Sequence, residues 1–171
     1  NLILANLYKY HPLIKNYETF DQNTKLFKSK ITCSIDLNLV DKNLSPFKSK
    51  IKNMIRNAKK NKLSIKISKD YKDFEYFEKI YLKSMKQKKA NKKLFFNKFY
   101  FLSLYRLITK SGFILLVLEK KSKIAAGIFL FGKNFLHYHL SASDPQKNKP
   151  GTFNLMLFEA ALYGKKLGLN N

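Results

Sequence analysis

The chain has 171 residues, 45% of them hydrophobic, which suffices for one domain with a real core and is too apolar for a disordered chain. Its formal net charge of +23 points to polyanionic partners: nucleic acid, anionic lipid headgroups or phosphorylated substrates. No apolar run approaches the roughly 18 residues of a membrane span, the N-terminal residues lack a signal-peptide pattern, and Cys33, the only cysteine, forms neither an internal disulfide nor a cysteine-based zinc site.

A cytoplasmic protein is therefore expected, and the sequon Asn43-Leu44-Ser45 reads as a helix-start motif rather than a glycosylation site. In chain order, residues 1–30 mix apolar patches with turns, punctuated by His11-Pro12-Leu13. Residues 31–37 alternate as a strand does. Ser45-Pro46 then supplies an N-cap with proline at the first helical position, followed by Phe47, Ile51, Met54, Ile55 and Ala58 on one helical face. Residues 64–67 read as a short strand. A second helix begins at Asp70, with Asp73, Glu75 and Glu78 near its positive end and Phe74, Phe77, Tyr81 and Met85 as its apolar stripe.

A basic connection over residues 86–93 leads to an aromatic-rich helix predicted over 94–109. Three strands follow, at 113–119, 124–131 and 135–140, and their short connections imply an antiparallel meander. Gly127, inside the middle strand, predicts a bulge or a close backbone approach. The last strand runs into Ser141-Ala142-Ser143-Asp144-Pro145. A loop then opens a helix at Thr152, which carries Phe153, Met156, Leu157, Ala160, Ala161 and Leu167 and stops at Gly168. A strand ending in hydroxyls next to a helix N-terminus concentrates backbone N–H groups, which suits an anionic or carbonyl-bearing ligand.

Several blocks in fixed order resemble the FemAB-like aminoacyltransferases. They are Tyr10-His11-Pro12-Leu13, Ile35-Asp36-Leu37, the helix around Ile55-Arg56-Asn57-Ala58-Lys59-Lys60-Asn61, and Ile80-Tyr81-Leu82-Lys83-Ser84-Met85. Tyr138-His139-Leu140-Ser141-Ala142-Ser143 follows, and then the segment from Gly151 through Asn154 to Tyr163-Gly164-Lys165-Lys166-Leu167-Gly168. The resemblance implies an α/β protein with a GNAT-like acyltransferase fold, a mixed and mostly antiparallel sheet flanked by helices, incomplete at the C-terminus. It divides the chain into 1–62, the tail of a first GNAT-like half plus a basic connecting helix, and 63–171, a truncated second half. The implied activity moves an amino acid from aminoacyl-tRNA to an amine of a lipid-linked or nucleotide-linked muropeptide, building the peptidoglycan interpeptide bridge, with no cofactor. Where the family often carries a substrate-contacting arginine, Met85 is followed here by Lys86-Gln87-Lys88-Lys89.

An aminoacyl ester is already activated, so its transfer to an amine needs proximity, a proton acceptor and donors for the developing oxyanion, not a covalent nucleophile. Tyr138, His139, Ser141 and Ser143 on the last strand, with Gly151, Thr152 and Asn154 at the helix start, are the candidate substrate-binding residues. Each alone also reads as ordinary core or surface. No residue stands out as catalytic; Asp144 and Glu159 are the nearest carboxylates. His137 and His139 share a strand face without a ligand set for a metal. Lys147 and Lys149 flank the loop, a loose phosphate cradle or a solvated basic cap.

The basic surface of Lys52, Arg56, Lys59 and Lys60, extended by Lys86, Lys88, Lys89, Lys92 and Lys93, has three readings: a solvated face, a tRNA-backbone track, or a peripheral dock on anionic lipid at the inner membrane face. Arg56 and Arg106 are the only arginines, so the charge speaks for an anionic partner and not for bidentate base readout. The lysine-rich bias is also what an AT-rich coding sequence yields. Two alternatives stay open: an acetyl-CoA-dependent N-acyltransferase acting on an envelope sugar or amine, and a non-catalytic basic module that binds RNA or membrane.

Overall fold

Three consecutive apolar runs joined by two-residue turns build the centre of the molecule. They are β2 (Gly112–Glu119), β3 (Ser122–Gly132) and β4 (Phe135–Ser143), and β1 (Leu63–Ser68) pairs antiparallel with the outer side of β2. The sheet order is β1-β2-β3-β4, antiparallel throughout. Lys120 and Lys121 both adopt positive φ, the conformation a tight two-residue hairpin demands. The structure, a computed structural model, describes residues 18, 25–27 and 32–171. The Tyr10-His11-Pro12-Leu13 block lies outside them. The chain forms two compact units, 1–34 and 35–171, and the sheet with the helices packed on it belongs to the second.

Helices cover both sheet faces, which is why β2 reads as an unbroken apolar run instead of alternating. Phe113, Leu115 and Val117 point to one core, shared with α1 (Ser49–Lys60) and α4 (Thr152–Lys166). Ile114 and Leu116 point to the other, shared with α2 (Tyr71–Gln87) and α3 (Lys98–Ser111). Helix α1 packs in the same unit as the sheet. Gly127 marks a close approach: a Cβ there would lie 2.5 Å from Met156 Sδ of α4.

Two expectations near the start of this unit are corrected. Residues 32–36 form no strand, and Ile31 lies outside the described residues. The Asp36 carboxylate instead caps a 3-10 turn, Leu37–Leu39, by accepting from the Asn38 N–H at 2.9 Å. Helix α1 begins at Ser49, not at Pro46. The Asp41 carboxylate accepts from Ser45 N–H at 3.0 Å and Leu44 takes a positive φ, so the chain completes a turn before it can wind.

Helix α3 also starts later than predicted, because a 3-10 turn (Lys92–Leu94) intervenes and the Asn97 side chain accepts from Tyr100 N–H at 2.9 Å. We expect Asn97→Ala to lower stability by about 1 kcal/mol. Urea unfolding measures this, and an unmoved midpoint would show that the cap contributes nothing.

After α4 the chain returns to β4. Asn171 N–H donates to Asn134 C=O at 3.3 Å and Asn171 C=O accepts from Leu136 N–H at 2.6 Å. Donation to the residue before Phe135 and acceptance from the residue after it is the pattern of a parallel bridge. Among the described residues no strand pairs with the remaining outer edge of β4, and no helix is long and apolar enough to cross a membrane.

Candidate functional site

The edge strand β4 presents its polar side chains in two directions because it carries one extra residue. Ile128 pairs with Leu140 but Phe129 pairs with Tyr138, leaving His139 as the bulge. Tyr138 and Ser141 therefore both face α4, opposite Phe129 and Gly127, and their hydroxyls hydrogen-bond to each other. Burial raises the Tyr138 phenol above its ordinary value, against the opposing pull of Ser141. The hydroxyl stays protonated at neutral pH. Ser143 closes the strand opposite Ala125, half-buried.

His139 points to the α2/α3 side. It ends a column of near-parallel rings: Tyr81 lies on Phe96 (5.8 Å between centroids), Phe96 on Tyr100 (4.0 Å) and Tyr100 beside His139 (6.4 Å). Two hydrogen bonds pin the column, Tyr81 Oη donating to Leu94 C=O at 3.0 Å and Tyr100 Oη meeting His139 Nε2 at 2.8 Å. Burial, with His137 adding to it, lowers the His139 pKa below the usual imidazole value. At neutral pH His139 is thus an uncharged imidazole held in a fixed orientation.

The start of α4 is packed on α1. Gly151, at φ +82°, is buried against Met54 and Ala58 of α1. Thr152 is buried and its hydroxyl donates to Lys149 C=O at 2.7 Å. Asn154 is half-buried in the first turn of α4. Between strand and helix the loop is tied back to the β2–β3 hairpin: Lys147 Nζ lies 3.2 Å from Ser122 Oγ and Lys149 Nζ 3.6 Å from Glu119. Tyr138, His139, Ser141 and Ser143 thus share one strand, while Gly151 rests on Met54 and Ala58 of α1.

Both nearby carboxylates are ion-paired. Asp144 meets Lys83 Nζ at 3.0 Å; burial pushes its pKa up, but the Lys83 and Gln146 hydrogen bonds outweigh that and hold it below the usual range. Glu159 meets Lys59 Nζ at 2.9 Å, and the same ammonium sits 4.8 Å from the Phe158 ring centroid. Lys59 is thereby partly spent on α4, whereas Arg56 and Lys60 are exposed and Lys52 is half-buried. Lys86 lines an open hollow of about 300 Å³ with Lys83, Gln87, Pro145 and Gln146, just past the end of β4. Lys88 is exposed at the end of α2.

No protein-family profile matches the sequence, and no curated protein does. Among solved structures, L-PGS from Bacillus licheniformis superposes with a TM-score of 0.60 at 10% identity, over 80% of this chain and 43% of that one. The chain therefore spans less than half the length of L-PGS. The fold is GNAT-like. At that identity the likeness concerns the GNAT-like fold and does not single out the FemAB-like family within it.

Within this fold, reading the sequence missed Tyr100 as the partner of His139, and Lys83 as the partner of Asp144. Neither has a local signal: Tyr100 and His139 are 39 residues apart, and Lys83 and Asp144 are 61 apart.

Proposed function

We propose that the protein is an aminoacyltransferase that moves an aminoacyl group from aminoacyl-tRNA to an amine of a peptidoglycan precursor peptide. The observation that carries this reading is the bulge at His139 in β4, which turns a neutral imidazole to the α2/α3 side and leaves the Tyr138 and Ser141 hydroxyls toward α4. His139 takes the proton from the attacking amine. Nitrogen bonds to the ester carbonyl carbon, the carbon–oxygen bond to the tRNA ribose breaks, and the proton passes to the departing hydroxyl. On the α4 side of the strand, the Tyr138 and Ser141 hydroxyls hydrogen-bond the peptide of the acceptor, away from the reacting ester. Exposed Arg56 and Lys60, with Lys52, offer charge for the tRNA backbone.

The fold likeness to L-PGS, an aminoacyl-phosphatidylglycerol synthase, favours a second acceptor, the headgroup hydroxyl of phosphatidylglycerol. Charged tRNA carrying a labelled amino acid, offered a lipid-linked muropeptide or phosphatidylglycerol vesicles, separates the two. We expect label on the muropeptide and a loss of about 100-fold in kcat/KM for His139→Ala with the fold retained. Label on phosphatidylglycerol alone selects the second acceptor. Label on neither, with tight coenzyme A binding by calorimetry, replaces the proposal with acetyl transfer.

A further inference from the structure

Helix α3 carries large apolar side chains on two opposite sides. Phe101, Leu104 and Ile108 are buried against the sheet. Phe99, Leu102, Ser103, Arg106, Leu107 and Lys110 recur at the same helical spacing on the opposite side, all exposed. Phe99 is 80% exposed, and Leu94 (43%) and Phe95 (41%) are exposed shortly before the helix begins. An apolar helix face of this kind marks an interaction surface.

Its electrostatic setting selects the partner. No acidic residue occurs between Glu78 and Glu119, while Lys92, Lys93 and Lys98 accompany the exposed phenylalanines. Apolar side chains to insert, with ammonium groups around them, fit an anionic bilayer surface. Nucleic acid fits less well: leucines offer no stacking face and arginine is nearly absent from the patch. We propose that α3 and the turn before it dock the protein on anionic membrane through Leu94, Phe95, Phe99 and Leu102. This surface is separate from the basic helix α1, and the inference does not rest on the transfer reading, because binding is measured without turnover.

The test is sedimentation with vesicles of phosphatidylcholine alone or of equimolar phosphatidylcholine and phosphatidylglycerol. The protein is expected to pellet with the anionic vesicles only, and the double variant Phe99→Ser/Leu102→Ser to bind them at least about tenfold more weakly. Because the chain has no tryptophan, Phe99→Trp gives an independent readout. Its emission should shift to the blue on anionic vesicles. No pelleting of the unmodified protein would overturn the proposal, as would undiminished binding by the double variant. So would an unshifted Phe99→Trp emission while the protein pellets. Loss of tRNA binding in the double variant with vesicle binding intact would make this an RNA surface instead.

Discussion

Gly151→Ala is expected to lower stability by about 2–4 kcal/mol, a large effect for one methyl group. Two penalties add. At φ +82° an L-residue is in the left-handed region that glycine alone occupies without cost. The new Cβ would also collide with the Met54 carbonyl oxygen and lie 3.1 Å from Ala58 Cβ. Neither neighbour yields cheaply, since one is backbone in the middle of α1 and the other is a fully buried methyl on the same helix. Gly132 is the control: a Cβ there meets nothing within 4 Å, so Gly132→Ala should change little. Urea titrations would report the difference as a lowered midpoint at constant slope. A loss below about 0.5 kcal/mol for Gly151→Ala would mean that α1 and α4 do not meet there.

Acidification is expected to remove about 2 kcal/mol through Asp73 alone. This carboxylate is 2% exposed, with Lys123 Nζ at 2.5 Å and Lys66 Nζ at 2.7 Å. Burial by itself pushes its pKa up, but hydrogen bonds from Lys123, Lys66 and Ser68 outweigh that and bring it down to about 2, from an ordinary 3.8. A folded-state value below the unfolded one stabilises the protein fully above about pH 4, and that contribution drains away as the pH falls through 2. Asp73→Asn should therefore cost about 2 kcal/mol at neutral pH, and its stability should converge on that of the unmodified protein near pH 2. The cost stays moderate because both lysine side chains remain partly exposed and regain water when the carboxylate is gone. Denaturant titrations at a series of pH values check this. A gap between the two proteins that persists unchanged to pH 2 would assign the effect to something other than this ionisation.

What could be read from the sequence came from period and punctuation. The runs at 113–119, 124–131 and 135–140 and the stripe Phe74, Phe77, Tyr81 announce the β2–β4 meander and helix α2 because each buries itself against something adjacent. The structure extends the last strand through Ser143. Local signals misled where a competing local bond was stronger. Asp36 and Asp41 both spend their carboxylates on nearby N–H groups, which abolishes the expected strand and delays α1. Asp73 fitted the rule for acidic residues at a helix start, yet its environment comes from Lys123, fifty positions away, which no local rule reveals.

The candidate site was legible only as a cluster of residue types. Tyr138, His139, Ser141 and Ser143 could be named, since hydroxyls and an imidazole at a strand end are visible in the letters. Their sidedness could not, because it depends on one unpaired residue in a ladder with β3. Nor could the ring column that holds His139, which draws Tyr81 from α2, Phe96 from the connection and Tyr100 from α3.

That unpaired residue also constrains how the protein can vary. Ahead of it even-numbered positions, Leu136 and Tyr138, look toward α4; beyond it odd-numbered positions, Ser141 and Ser143, do so. Parity inverts at His139. Deleting His139 would close the bulge without turning any neighbour: Tyr138 stays opposite Phe129 and Leu140 opposite Ile128, so Leu140 and Ala142 keep their core, and what is lost is the imidazole and its Tyr100 partner. Deleting Tyr138 or Ser141 instead removes a hydroxyl from the α4 side, so the strand tolerates a shorter length only where its extra residue stands.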